Sequence, residues 1–302
     1  MEYGIVVQLD REWWPKNLLE YPFTHWTYMF KPDGTKIRPP IRLGVYSTWG
    51  GDFSPDGKWF VYSDWGMHIY LIRLSDGKKV RVNSGSEEIV VNNIKWLEDG
   101  HTIAYGDDKV YIQDVGCLLT KKMPSDCLPP PVIIKLGVNR SFYDISPDGT
   151  RIIYTYAEYE EGHKIVKWDV FLMEVASSSS ISLKTEGDNM EFVGNTTILI
   201  RDKNNIYVAE IDNNKVTSKK LIAELTGDER SFSLSPDGKY IAFISSQRGD
   251  GLGEAMRLRL WEWDSVTPTS ALFIIEVATG KVRRLTYPND HDVIWYGWYP
   301  LR

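Results

Sequence analysis

Cysteine and histidine are scarce: two and five residues in a chain of 302. Two cysteines are too few for a disulfide framework or a four-cysteine zinc site. No excess of basic charge exists either, since 35 Lys and Arg stand against 41 Asp and Glu, a net charge of −6. A phosphate backbone would find no attracting field, and no nucleic-acid partner is expected. No apolar run approaches the roughly 20 residues that cross a bilayer. Met1 to Leu9 lacks the charged-then-apolar order of a signal peptide, so a soluble chain without a transmembrane segment is expected. The standard signatures of catalysis are missing as well: there is no Gly-x-Ser-x-Gly elbow, no P-loop and no His-Glu-x-x-His. Gly249-Asp250-Gly251-Leu252-Gly253 has Glu254 where a dinucleotide loop needs its third glycine, and it reads as a plain loop.

What is present is apolar and repetitive. Hydrophobic residues make up 42% and aromatics 13%, ample for a large core. The tetrapeptide Ser-Pro-Asp-Gly occurs at Ser54–Gly57, Ser146–Gly149 and Ser235–Gly238. Each copy runs into a β-rich segment: Lys58-Trp59-Phe60-Val61-Tyr62, Thr150-Arg151-Ile152-Ile153-Tyr154 and Lys239-Tyr240-Ile241-Ala242-Phe243. Pro presets φ, Asp bonds nearby backbone N–H groups and Gly accepts positive φ, so the tetrapeptide predicts a hairpin turn. A third strand follows, as in Ile69–Ile72 and Phe273–Ile275, then a tight turn such as Ser75-Asp76-Gly77 or Thr279-Gly280, then a fourth strand. Four antiparallel strands make one blade of a propeller.

Degenerate turns at Leu97–Gly100 and Phe192–Asn195 raise the number of blades to five. A sixth is split between the ends. Val293–Pro300 reads as its innermost strand, Gly4–Val7 as the second, Trp26–Met29 as the third and Lys36–Arg38 as the fourth. The sequence thus predicts an all-β fold, a β-propeller of six four-stranded blades forming one domain over residues 1–302, closed by pairing the N- and C-terminal segments in one blade.

These Ser-Pro-Asp-Gly repeats resemble those of the TolB-like six-bladed β-propeller, a repeat type also seen in dipeptidyl peptidase IV-like and tricorn-like proteins. The resemblance implies the propeller alone. In the peptidase relatives a separate hydrolase domain carries the nucleophile, so peptide hydrolysis is not implied.

Candidate functional residues follow from the blade plan. The loops joining second to third strands, and one blade to the next, open on one face; the Pro-Asp-Gly turns open on the other. Blade-to-blade connections carry Glu87, Asp188, Asp228 and Asp290, which ring closure would gather into an acidic channel mouth suited to a cationic group or to Ca2+. The alternative is that solvated loops use acids as turn formers. Trp65 and the insertion Arg257–Trp263 add aromatics to that face, with Arg259, Trp261 and Trp263 forming an interaction patch or packing on the rim. His25, His68 and His291 fall on it too, as candidate metal ligands or as solvated loop residues. Cys117 and Cys127 share one insertion between the third and fourth strands of the second blade and are expected to form a disulfide, which favours a periplasmic, secreted or cell-surface location; free thiols would favour the cytoplasm.

The leading functional expectation is a monomeric, non-catalytic scaffold recognising a protein or peptide on the loop face, with no resident cofactor. The alternatives are a metal-dependent propeller enzyme of lyase or hydrolase type and a carbohydrate-binding propeller, because fold alone does not choose among them.

Overall fold

The computed structural model describes residues 2–9, 26–37, 48–64, 68–83, 89–120, 127–160, 164–184, 189–202, 205–212, 215–224, 229–245, 271–286 and 293–301. Within them the chain forms six antiparallel sheets of four strands each, arranged as a ring.

The closing blade is built from both ends. β1 (Glu2–Leu9), β2 (Trp26–Phe30) and β3 (Lys36–Ile37) are joined by the innermost strand, β24 (Val293–Leu301). β1 and β24 pair antiparallel from Glu2 with Leu301 through Gly4 with Tyr299 to Leu9 with Val293, which is the predicted closure. The first blade comprises β4 (Thr48–Phe53), β5 (Trp59–Asp64), β6 (His68–Arg73) and β7 (Lys79–Arg81). The second comprises β8 (Asn93–Trp96), β9 (Thr102–Gly106), β10 (Lys109–Asp114) and β11 (Val132–Lys135). The third has β12 (Arg140–Ile145), β13 (Arg151–Glu160), β14 (Lys164–Glu174) and β15 (Ser180–Ser182). The fourth has β16 (Asn189–Phe192), β17 (Thr197–Asp202), β18 (Asn205–Asp212) and β19 (Lys215–Glu224), and the fifth β20 (Glu229–Leu234), β21 (Tyr240–Ser245), β22 (Ala271–Glu276) and β23 (Val282–Arg284).

The repeated tetrapeptide explains why each blade turns where it does. In the first copy Gly57 has φ 63° and donates to the Ser54 carbonyl at 2.8 Å, while Ser54 Oγ donates to Asp56 Oδ1 at 2.7 Å and accepts the Trp59 N–H at 3.0 Å. The same bonds recur around Ser146 and Ser235. In the degenerate Leu97–Gly100 turn, Asp99 Oδ1 still accepts from His101 and Thr102. The polar groups of the reversal are satisfied locally, and the serine is buried at no cost in lost hydrogen bonds.

Second strands are apolar on both sides because a blade has a neighbour on each face. Phe60 packs toward the closing blade and Val61 toward the second blade; Ile152 and Ile153 divide in the same way in the third. The core consequently falls into six clusters, one between each pair of adjacent blades, and the cluster uniting Ile5, Val7 and Trp298 with Ala242, Ile244 and Leu272 shows that the closing blade is sealed like the others.

Candidate functional site

The innermost strands of all six blades line an axial channel of about 970 Å3. Its chemistry is set by one structural position. The residues of the first strands that pair with Val61, Ala104, Ile153, Leu199, Ala242 and Val6 of the second strands are Asp52, Lys95, Asp144, Glu191, Ser233 and Gly297. Alternation turns each of them toward the next blade beside the channel.

Where that position is acidic, it ties blades together. Asp52 Oδ2 accepts the Trp96 N–H of the second blade at 2.8 Å, Asp144 Oδ2 the Phe192 N–H of the fourth at 2.7 Å and Glu191 Oε2 the Leu234 N–H of the fifth at 3.1 Å. Glu191 also accepts from Ser233 Oγ at 3.2 Å. Lys95, standing where an acid would, donates to Glu191 Oε1 at 2.5 Å and lies 3.6 Å from Asp144 Oδ1.

Burial would discharge Lys95, but Asp144, Glu191 and Asp52 reverse that effect and hold it firmly protonated. Burial pushes the Asp52 carboxyl up to about 6 despite Lys95 and two backbone N–H groups, and pushes Asp144 well above the ordinary carboxylate range. Burial likewise raises the Tyr296 phenol, which donates to the Ser231 and Ala242 carbonyls. Three carboxylates therefore face one ammonium in a confined space, an arrangement that attracts cations.

The residues singled out from the sequence are not the ones that form this cluster. Glu87, Asp188, Asp228, Asp290, Trp65, Arg259, Trp261, Trp263, His25 and His291 lie outside the described residues. His68 is described: its Nδ1 is 2.8 Å from Asp64 Oδ1 at the end of the β5–β6 hairpin. Among the described residues no three His, Cys, Asp or Glu side chains are spaced to hold a metal ion. Cys117 and Cys127 are joined in a disulfide within the second blade's insertion. Among the described residues no helix is long and apolar enough to cross a membrane.

The channel residues carry a signal that sequence reasoning passed over. Asp52 and Asp144 precede the Ser of the repeated turn by two positions, as Ser233 does; Lys95 stands two positions before the degenerate turn at Leu97, and Glu191 immediately before the one at Phe192.

No sequence-family profile matches this chain, and no curated protein does. Among solved structures, a TolB candidate from Agrobacterium tumefaciens aligns over 100% of this chain and 99% of its own, with 16% identity and a TM-score of 0.60. A chain in the crystal structure of a nidogen/laminin complex aligns over 98% of both, with 9% identity and a TM-score of 0.61. At such identities the shared property is the architecture, and by that measure this chain is a six-bladed β-propeller similar in fold to TolB.

Proposed function

We propose that the protein is a non-catalytic binding propeller that engages a protein or peptide partner at its axial channel. The observation that carries this reading is the channel itself: about 970 Å3, lined by all six blades and rich in buried carboxylate. Its lining side chains are fixed by hydrogen bonds to neighbouring backbones, so binding would cost little rearrangement. The similar chain of the nidogen/laminin structure was also solved within a complex, which agrees with the reading. The sequence adds Glu87, Asp188, Asp228 and Asp290 in the blade-to-blade connections and Arg259, Trp261 and Trp263 in the longest insertion as further contacts for such a partner. The Cys117–Cys127 disulfide supports an extracytoplasmic home.

The test is selection of binders from a random peptide library followed by hydrogen-exchange footprinting of the complex. Slowed exchange at the amides of Trp96, Phe192 and Leu234, which line the channel, is expected. A footprint confined to the outer strands β7, β11, β15, β19 and β23, or a library that yields no binder, refutes it.

A further inference from the structure

Each blade ends in an outer strand whose far edge pairs with no other strand among the described residues. Five of these six edges are blunted against pairing. β3 has two residues and β15 three; β7 carries Lys79 and Arg81; β19 sets Lys219 and Lys220 beside the exposed Leu221, and β23 sets Arg283 and Arg284 beside the exposed Val282. The four-residue β11 runs instead through Val132-Ile133-Ile134 without a charge, with Val132 60% and Ile133 50% exposed.

The register shows which groups of β11 are free. Leu136 N–H donates to the Asp108 carbonyl, and in the same register Lys109 lies opposite Lys135, Val110 opposite Ile134 and Tyr111 opposite Ile133. Bonded and non-bonded pairs alternate in an antiparallel ladder, so Val110 and Ile134 exchange hydrogen bonds. The backbone N–H and C=O of Ile133 and Lys135 then point away from β10, as an added strand requires. A second observation gives the charge of that strand. Lys109 and Lys135 are directly opposite one another, a like-charge pair that destabilises a sheet, and neither ammonium has a carboxylate at ion-pair distance among the described residues. One acidic side chain beside Lys135 would relieve them.

We propose that β11 is a docking edge for an extended segment of a partner protein, added antiparallel, with an acidic residue opposite Lys135 and an apolar residue opposite Ile133. Ile133 and Lys135 lie two positions apart on one face, so the segment reads Asp/Glu, any residue, then an apolar one. A second copy of this chain fits worse: pairing two β11 edges antiparallel sets Lys135 against Ile133 or another lysine and supplies no acid. The edge lies on the outer rim, three strands from the channel-lining β8, and neither binding reading depends on the other.

The probes are acetyl-Thr-Thr-Asp-Thr-Val-Thr-Thr-amide and its counterpart with Lys in place of Asp, titrated into the intact chain while amide exchange is followed by NMR. The aspartate peptide should slow the Ile133 and Lys135 amides by about fivefold or more, the value of one hydrogen bond, and leave those of Val132, Ile134 and the channel residues Trp96, Phe192 and Leu234 unchanged. It should bind about two- to fivefold more tightly than the lysine peptide, the range of an exposed ion pair, and Lys135→Glu should reverse that preference. Ile133→Pro removes an outward donor without touching the β10 ladder; it should fold with the parent's circular dichroism and lose the aspartate peptide. Unchanged exchange at both outward amides, or equal binding of the two peptides by the parent and by Lys135→Glu, overturns the proposal. Outward amides already protected in the free chain, together with dimers in sedimentation, would assign the edge to a second copy and overturn it as well. None of these outcomes bears on the channel, whose own footprint decides that reading.

Discussion

Removing β24 should destroy the fold, and the size of the effect can be worked from what the strand buries. Truncation before Val293 strips the inner strand from the closing blade and leaves the β1 edge unpaired along the whole register from Glu2 to Leu9. It also removes Trp298, 8% exposed in the cluster with Ile5, Val7, Phe30 and Leu272, and Tyr299, whose ring meets Phe53 edge-on at 5.2 Å. Loss of a buried Trp side chain costs about 3–5 kcal/mol, and an edge-to-face aromatic contact about 0.5–1.5 kcal/mol more. Lost ladder hydrogen bonds add to this, so the total matches the 5–15 kcal/mol that stabilises a typical domain. The truncated chain should be insoluble on expression. Trp298→Ala, which keeps the strand, should fold and melt about 6–10 °C lower by circular dichroism, at roughly 2 °C per kcal/mol for a chain of this size. A truncated chain that is soluble and melts cooperatively within a few degrees of the parent would refute the reasoning.

Three further outcomes are expected. Intact mass before and after reduction and alkylation should show both Cys117 and Cys127 protected, and Cys117→Ser should lower stability by about 2–3 kcal/mol for a loop of this length. Stability should rise as pH falls from about 8 toward 5: Asp52 and Asp144 are raised by burial, so their protonation favours the folded state, and Asp52→Asn should flatten the rise in melting temperature. Below the ordinary carboxylate pKa the sign reverses, because Asp56, Asp148 and Asp237 are held low, against partial burial, by hydrogen bonds within their turns. Gly57→Ala should destabilise more than Gly100→Ala in chemical denaturation: both residues have positive φ, but a Cβ at Gly57 would meet Pro300 Cγ at 2.9 Å and one at Gly100 meets nothing within 4 Å.

The fold was legible because its punctuation is chemical. Ser54-Pro55-Asp56-Gly57 and its copies specify one turn through their own side chains, and the strands after them keep a fixed spacing, so even Leu97–Gly100 and the split blade could be aligned. The channel was harder to see. Asp52, Lys95, Asp144 and Glu191 are ordinary strand residues in sequence, 43 to 49 residues apart from one to the next, and they meet only because six blades share an axis. Their alternation places them opposite a neighbouring blade rather than solvent, a distinction that polarity alone does not reveal. The loop residues Glu87, Asp188, Asp228 and Asp290 stand out by composition, whereas the strand acids stand out by register.

Pairing β1 with β24 has a kinetic consequence. Among the described residues every other strand pair joins neighbours in sequence, but Glu2 finds Leu301 only across nearly the entire chain. That contact carries the largest loop-closure entropy in the molecule and should form late, with five local blades waiting on one distant meeting. Because Glu2 and Leu301 are paired, a short linker could join them, and new ends could be cut beside Val138, 85% exposed between β11 and β12. In that permuted chain each blade is continuous. Its native stability should be nearly unchanged while its refolding rate rises, making the order of blades along the chain a determinant of how fast the ring forms rather than of whether it holds.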